Sequence, residues 1–124
     1  LSIEEDVRDV VKPHVANRAY ISVFPQPAGV PVWPAARISV VSLVPNVDLC
    51  GDGGVETAEY RIQIDLVVTE ASGYSALKTL EASVLTTMQT FAPPAILDSV
   101  RAEYDEETRT HRSSIDYLIY PSST

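Results

Sequence analysis

Apolar positions along the chain recur at two periods, near 3.6 and at 2. Ile3, Val7, Val10 and Val11 fall on one helical face, and Ser2 followed three residues later by Glu5 has capping-box spacing, so the spacing predicts an opening helix. Pro13 lacks a backbone donor and clashes with the preceding turn, which breaks or kinks that helix near Lys12. Residues 20–24 read as a short strand cut off by Pro25 and Pro27, and the proline-containing stretch to Pro34 reads as an extended loop. Residues 37–44 are apolar and β-branched up to Pro45, a strand with at least one buried face. The clearest strand is 57–69. Tyr60, Ile62, Ile64, Leu66 and Val68 alternate there with Glu59, Arg61, Gln63 and Asp65, so one face meets the core and the other water.

Between these two strands, residues 46–56 hold Asp48, Gly51, Asp52, Gly53 and Gly54, a turn-rich stretch that predicts an antiparallel hairpin with a long tip. A second helix follows, with Leu77, Leu80, Val84, Leu85, Met88 and Phe91 at helical spacing, a start at Ser72 or Gly73, and a stop at Pro93 and Pro94. Residues 96–105 and 108–120 then form two strands around Glu106 and Glu107, with Ile115, Tyr117 and Ile119 alternating inward. The element order is α-β-β-β-α-β-β. Paired strands interrupted by a helix, without regular βαβ alternation, predict an α+β fold: an antiparallel or mixed sheet of four to five strands with two helices packed on one face.

A chain of 124 residues is the size of one domain, and 1–124 is read as a single unit. At this length roughly 65–70% of the unfolded surface is buried on folding, so neither a metal nor a disulfide is required. The single Cys50 cannot form an internal bridge and favours a reducing compartment. Residues 1–9 are acidic and show no basic segment followed by an apolar run, and no stretch approaches 18 apolar residues, so the expectation is a protein soluble and cytosolic at synthesis. The formal net charge of −8 repels nucleic acid and anionic lipid. Arg101, Arg109 and Arg112 are near one another in sequence but are interleaved with Glu103, Asp105, Glu106 and Glu107, which is not how a phosphate-binding stripe is built.

Catalytic raw material is thin. Two histidines, His14 and His111, and one cysteine would have to supply any mechanism that depends on them, and no nucleophile-elbow, phosphate-loop, dinucleotide or zinc motif occurs. Asp48, Cys50, Asp52, Gly53, Glu56 and Glu59 match positions 1, 3, 5, 6, 9 and 12 of a calcium-loop template. Cys50 is a soft ligand where oxygen is wanted, and strands flank the segment where that motif needs helices, so a solvated acidic tip is the expectation. No catalytic residue, metal site or cofactor is assigned. The polar rows available for contacts with other chains are Glu59, Arg61, Gln63 and Asp65 on the central strand, with Arg109 and Arg112 on the last.

The chain resembles a known family over most of its length. The resemblance lies in the N-terminal helix, the short strand ending Val23-Phe24-Pro25-Gln26, the strand after Pro34, and Tyr60-Arg61-Ile62-Gln63-Ile64-Asp65-Leu66. It continues through the helix opening near Ser72-Gly73-Tyr74 and the last strand, Thr108-Arg109-Thr110-His111-Arg112-Ser113-Ser114-Ile115-Asp116-Tyr117. This pattern is similar to the tail-completion, or tail-terminator, proteins of long-tailed bacteriophages. The resemblance implies a virion structural protein of the tail and neck, made in the host cytoplasm. It further implies a ring, commonly of six subunits, that caps the tail tube, stops its growth and joins the head connector while DNA passes through without specific binding. No catalytic residue is implied. A head–tail connector or a tail-tube subunit is the alternative, and a small enzyme of unknown type the distant one.

Overall fold

The computed structural model describes residues 3–23, 33–47 and 55–120, of which 44–47 and 55–58 are described by backbone only. Helix α1 spans Ile3–Val11, and its Ile3, Val7 and Val11, four residues apart, form the buried stripe. Glu4, Glu5 and Asp6 occupy its first turn, where the exposed amide groups favour negative charge. Pro13 converts the continuation into a 3₁₀ turn, Lys12–Val15, and Ala16 and Asn17 then adopt left-handed backbone angles of φ 53° and 64°. The Asn17 amide closes this turn on the Lys12 carbonyl at 2.9 Å and sends the chain into strand β1, Ala19–Ile21. Ser2 and Phe24, the ends of the expected helix cap and strand, lie outside the described residues.

Strand β2 spans Ala35–Val47, β3 spans Val55–Thr69, α2 spans Gly73–Met88, β4 spans Ala95–Asp105 and β5 spans Thr110–Ile119. The order across the sheet is β1-β2-β3-β5-β4, with β1 parallel to β2 and every other pair antiparallel. The expected α+β class, element order and mixed sheet are all present. Helix α1 lies over β1 and β2, and α2 over β3 and β5, so both helices cover one face. The core between them is built from Val7, Val11, Ile38, Ile62, Ile64, Leu66, Leu77, Val84, Ile115 and Ile119, all fully buried. Each such side chain stabilises the fold by roughly 1.5–3 kcal/mol relative to exposure.

Two local expectations are corrected. Strand β2 does not stop at Pro45 but continues to Val47, with register shifts at Val40/Ser42 and Val44/Pro45. Proline is tolerated there because β2 is an edge strand from this point on, and a missing donor at a bulge costs no ladder bond. Helix α2 ends at Met88, so Phe91 is not on its face but follows it, packing half-buried against the core. Helix α2 starts where expected, with Ser72 at its N-cap position, although no side chain caps it. Ser72 instead shares a hydroxyl–hydroxyl bond of 2.9 Å with Thr69, and Gly73 takes φ +87°, an angle that costs other residues strain.

The sheet is not closed at either side. β1 pairs β2 only at Ala36–Ile38, and β5 pairs β3 only from Tyr60 onward. Residues 44–47 and 55–59 therefore form a two-stranded ribbon that, among the described residues, is bonded only to itself and reaches beyond the rest of the sheet. Among the described residues β4 is the opposite edge, with no strand on its outer side. The hairpin tip, 48–54, and with it most of the calcium-like template, lies outside the described residues.

Candidate functional site

Alternation along β2, β3, β5 and β4 sends a second set of side chains to the face the helices leave bare. Direct cross-strand partners there are Arg37 with Asp65, Asp65 with Ser114, Ser114 with Arg101, and Arg112 with Glu103. Because four strands contribute at matching register, residues spread from 37 to 114 in sequence line one concave dish of about 440 Å³, with Gln63 beside Asp65.

Asp65 is the floor of the dish. Arg37 donates Nε at 3.0 Å and Nη2 at 2.7 Å to Asp65 Oδ2, while Gln63 Nε2 at 2.8 Å and the Ser114 hydroxyl at 2.7 Å donate to Oδ1. Four donors on one carboxylate explain how a charged group only 6% exposed is tolerated on a sheet face. Val67 and its cross-strand partner Ala35 are also buried, so β3 is enclosed on both faces at this end, contrary to the simple half-wet reading.

The rim is less tightly bonded. Arg112 places Nη2 3.7 Å from Asp105 Oδ2 and donates Nε to the Thr110 hydroxyl at 3.3 Å. Arg101 is 67% exposed, and its nearest carboxylate oxygen, on Asp116, is 3.9 Å away. Asp116 lies on the same face of β5, two positions beyond Ser114. It accepts the Ser99 hydroxyl on Oδ2 at 3.1 Å, while its Oδ1 is buried and has no hydrogen-bond partner among the described residues. Farther toward the ribbon, Arg61 donates to Asp98 at 2.6 Å. Asp98 sits at the register shift of β4, where a bulge re-aims its carboxylate toward β3, and that hydrogen bond raises the Arg61 pKa above its ordinary value.

The residues predicted from sequence thus divide. Arg61, Gln63, Asp65 and Arg112 share the bare face, and Gln63, Asp65 and Arg112 line the dish. Glu59 continues the same row into the ribbon, opposite Val44. Arg109 does not join them: it is in the exposed turn before β5, with φ 52°. Sequence reasoning missed Arg37, Arg101, Glu103, Ser114 and Asp116. Arg37 carries a usable signal, a charged residue in an otherwise apolar run, whereas Arg101 stands among Asp98, Ser99, Glu103 and Asp105 and carries none, and nothing in the linear pattern says that they meet.

Outside the dish the chemistry is modest. His14 shares a 2.7 Å hydrogen bond with the Thr87 hydroxyl between the 3₁₀ turn and α2, and His111 meets Tyr104 in a tilted and Tyr74 in an edge-on ring contact, at centroid distances of 5.1 and 6.0 Å. No group of three or more metal-ligating side chains occurs among the described residues, and no helix among them is long and apolar enough to cross a membrane. A dish of interleaved guanidinium and carboxylate groups presents hydrogen-bonding charge of both signs, which suits recognition of another protein surface rather than a continuous polyanion.

Comparison with known proteins supplies the context. Curated protein sequences contain no match. A solved chain from "Virion of native gene transfer agent (GTA) particle" superposes with a TM-score of 0.62 at 14% sequence identity, covering 96% of this chain and 93% of that one, and so shares its fold. The family described as "Tail completion protein gp17" matches residues 5–121, nearly the whole chain, and the protein therefore belongs to this family of virion tail structural proteins, which are not enzymes.

Proposed function

We propose that the protein is a tail terminator: copies close into a ring, six being the number the resemblance implies, that caps the tail tube, stops its polymerisation and presents a surface to the head connector. The family match over residues 5–121 carries this reading. The geometry supports it, because the two sides of the sheet differ. One is the full outer edge of β4, the other the short β1 and the open part of β2 with its ribbon. A contact between unlike edges is head-to-tail, and a head-to-tail contact that closes makes a ring.

The acidic charge supports it as well. With −8 per copy, the bore of such a ring lets DNA pass without holding it, since phosphate binding needs clustered Lys or Arg. The arginines that do cluster on the bare face are interleaved with carboxylates. Those pairs, Arg61 and Arg112 foremost among the expected contact residues, are suited to joining copies against their mutual repulsion, an attraction that salt screens. Asp65 acts there through Arg37, since both its oxygens are already bonded within the chain.

Polymerising the cognate tube protein with and without this chain tests the reading. Capped, shortened tubes with a ring at one end are expected, and Arg61→Glu or Arg112→Glu should weaken capping without unfolding the domain. Tubes of unchanged length and bare ends would overturn it. Electron microscopy of the protein alone separates it from a tube subunit, which would give stacked rings rather than single ones.

A further inference from the structure

Strand β4 is amphipathic, and its apolar side is uncovered. Ala95, Leu97, Val100, Ala102 and Tyr104 form one row on the side the helices occupy, because the β5 partners of Leu97 and Val100 are the core residues Tyr117 and Ile115. The intervening Ser99, Arg101 and Glu103 are polar and face the other way. A wholly apolar row belongs to a covered strand, yet none of the 11 residues of β4 is buried. Helices α1 and α2 sit over the other four strands, which leaves Leu97 46% and Tyr104 42% exposed. An apolar sheet face is normally buried against another layer, and no described element of this chain supplies one here.

The opposite edge has the same fault. Leu43 is opposite Tyr60, which in turn is opposite core Ile119, so Leu43 also belongs to the helix side, and it is 52% exposed. Val41, at the register shift of β2, and Val23, just after β1, are exposed beside it. β1 is bonded to β2 only as far as Ile38, so the edge of β2 that carries Val41 and Leu43 has no strand on it among the described residues. Apolar side chains exposed singly are ordinary on a protein surface. Here they gather at the two unlike edges of one sheet.

We propose that the apolar row of β4 in one copy is covered by the open β2 edge of the next, Val41 and Leu43 packing against Leu97 and Val100 with the helix sides of the two sheets aligned. Each copy has one edge of each kind, so one contact repeated around a closed ring covers both and leaves neither over. A tube or connector protein seated on β4 would leave Val41 and Leu43 bare. Burial of this row also supplies an attraction that a charge of −8 per copy withholds. The proposal rests on the ring reading above but is separable from it, since a ring could close through the arginine dish instead.

A photoreactive p-benzoylphenylalanine in place of Leu97 gives the direct readout. Irradiated in the assembled protein, alone or at tube ends, it should label residues 39–43 of a neighbouring copy and give a ladder of covalent multimers on denaturing gels. Adding Leu43→Glu to the same chain should remove the ladder, since a charge set into an apolar contact should lower association about tenfold or more. Mixing that double variant with Leu97→Glu gives each chain one sound edge, so cross-links should then stop at the dimer. Both glutamates replace exposed side chains, and thermal melting should stay close to wild type; should either variant fail to fold, the residues labelled by the cross-linker decide alone. Labelling of residues 95–105 of another copy would mean that β4 meets itself and would overturn the proposal. So would labels found only on added tube protein, a Leu43→Glu chain that assembles as the wild type does, or rings seen by microscopy without a ladder, and each leaves the ring reading standing. Absence of any multimer, even at tube ends, would overturn both.

Discussion

Ser113 on β5 donates its hydroxyl hydrogen to Glu81 Oε2 on α2 at 2.7 Å, a bond inside the interface between helix and sheet. Glu81 is 9% exposed, with Lys78 Nζ at 3.3 Å as its other partner. The pair ties the second helix to the strand that carries Arg112 and Ser114 of the dish. Ser113→Ala leaves this buried carboxylate short of a donor and should destabilise the domain by about 1–3 kcal/mol, read as a lower urea midpoint at unchanged slope. Adding Glu81→Met should recover most of the loss, because removing both partners leaves no unsatisfied group.

Val84 is fully buried at the centre of the α2 stripe. Val84→Asp places an unpaired charge among Leu77, Leu80 and Met88 at a cost of several kcal/mol, against a total stability of about 5–15. Circular dichroism should show loss of cooperative melting, while a soluble variant melting near the wild-type temperature would contradict the assignment of this helix to the core.

Asp65 holds four donors, so Asp65→Ala should cost about 3 kcal/mol, the low end for a broken buried pair, since the Arg37 side chain is 34% exposed and regains some water. Asp65→Asn keeps the shape and one acceptor and should lose less. Thermal denaturation ranks the two, and an alanine variant equal to wild type would remove Asp65 as the organiser of the dish.

Tyr117 is 3% exposed, and burial pushes its pKa up to about 12. In the unfolded chain it titrates near 10. Between these values the folded state binds the proton more tightly, so stability falls as pH rises from about 10 to 12, by about 2–3 kcal/mol from this group. Below pH 10 both states are protonated and the contribution is intact. Urea unfolding at pH 9, 10 and 11 should show a steeper decline in the wild type than in Tyr117→Phe, and parallel declines would refute the buried phenol.

What the sequence determined by itself is local. The alternation of Tyr60, Ile62, Ile64, Leu66 and Val68, and of Ile115, Tyr117 and Ile119, states which side of each strand meets the core, because successive side chains must point to opposite faces. The 3.6-residue spacing of Leu77, Leu80, Val84 and Met88 does the same for α2, and Pro13 marks where the α-helical part of the first element stops, through the donor it lacks. Where the local rule was overridden, at Pro45 and Phe91, a bulge on an open edge and the packing of a turn onto the core supplied the reason. Tertiary structure alone decided which strands are neighbours and at what register. Periodicity assigns Arg37, Asp65, Arg101 and Ser114 to faces, but only the order β2-β3-β5-β4 brings them into one dish, while Arg109 stands outside it in the turn before β5. Pairing is set by burial of the whole helix-covered face at once, a property of the assembled sheet that no window of sequence contains.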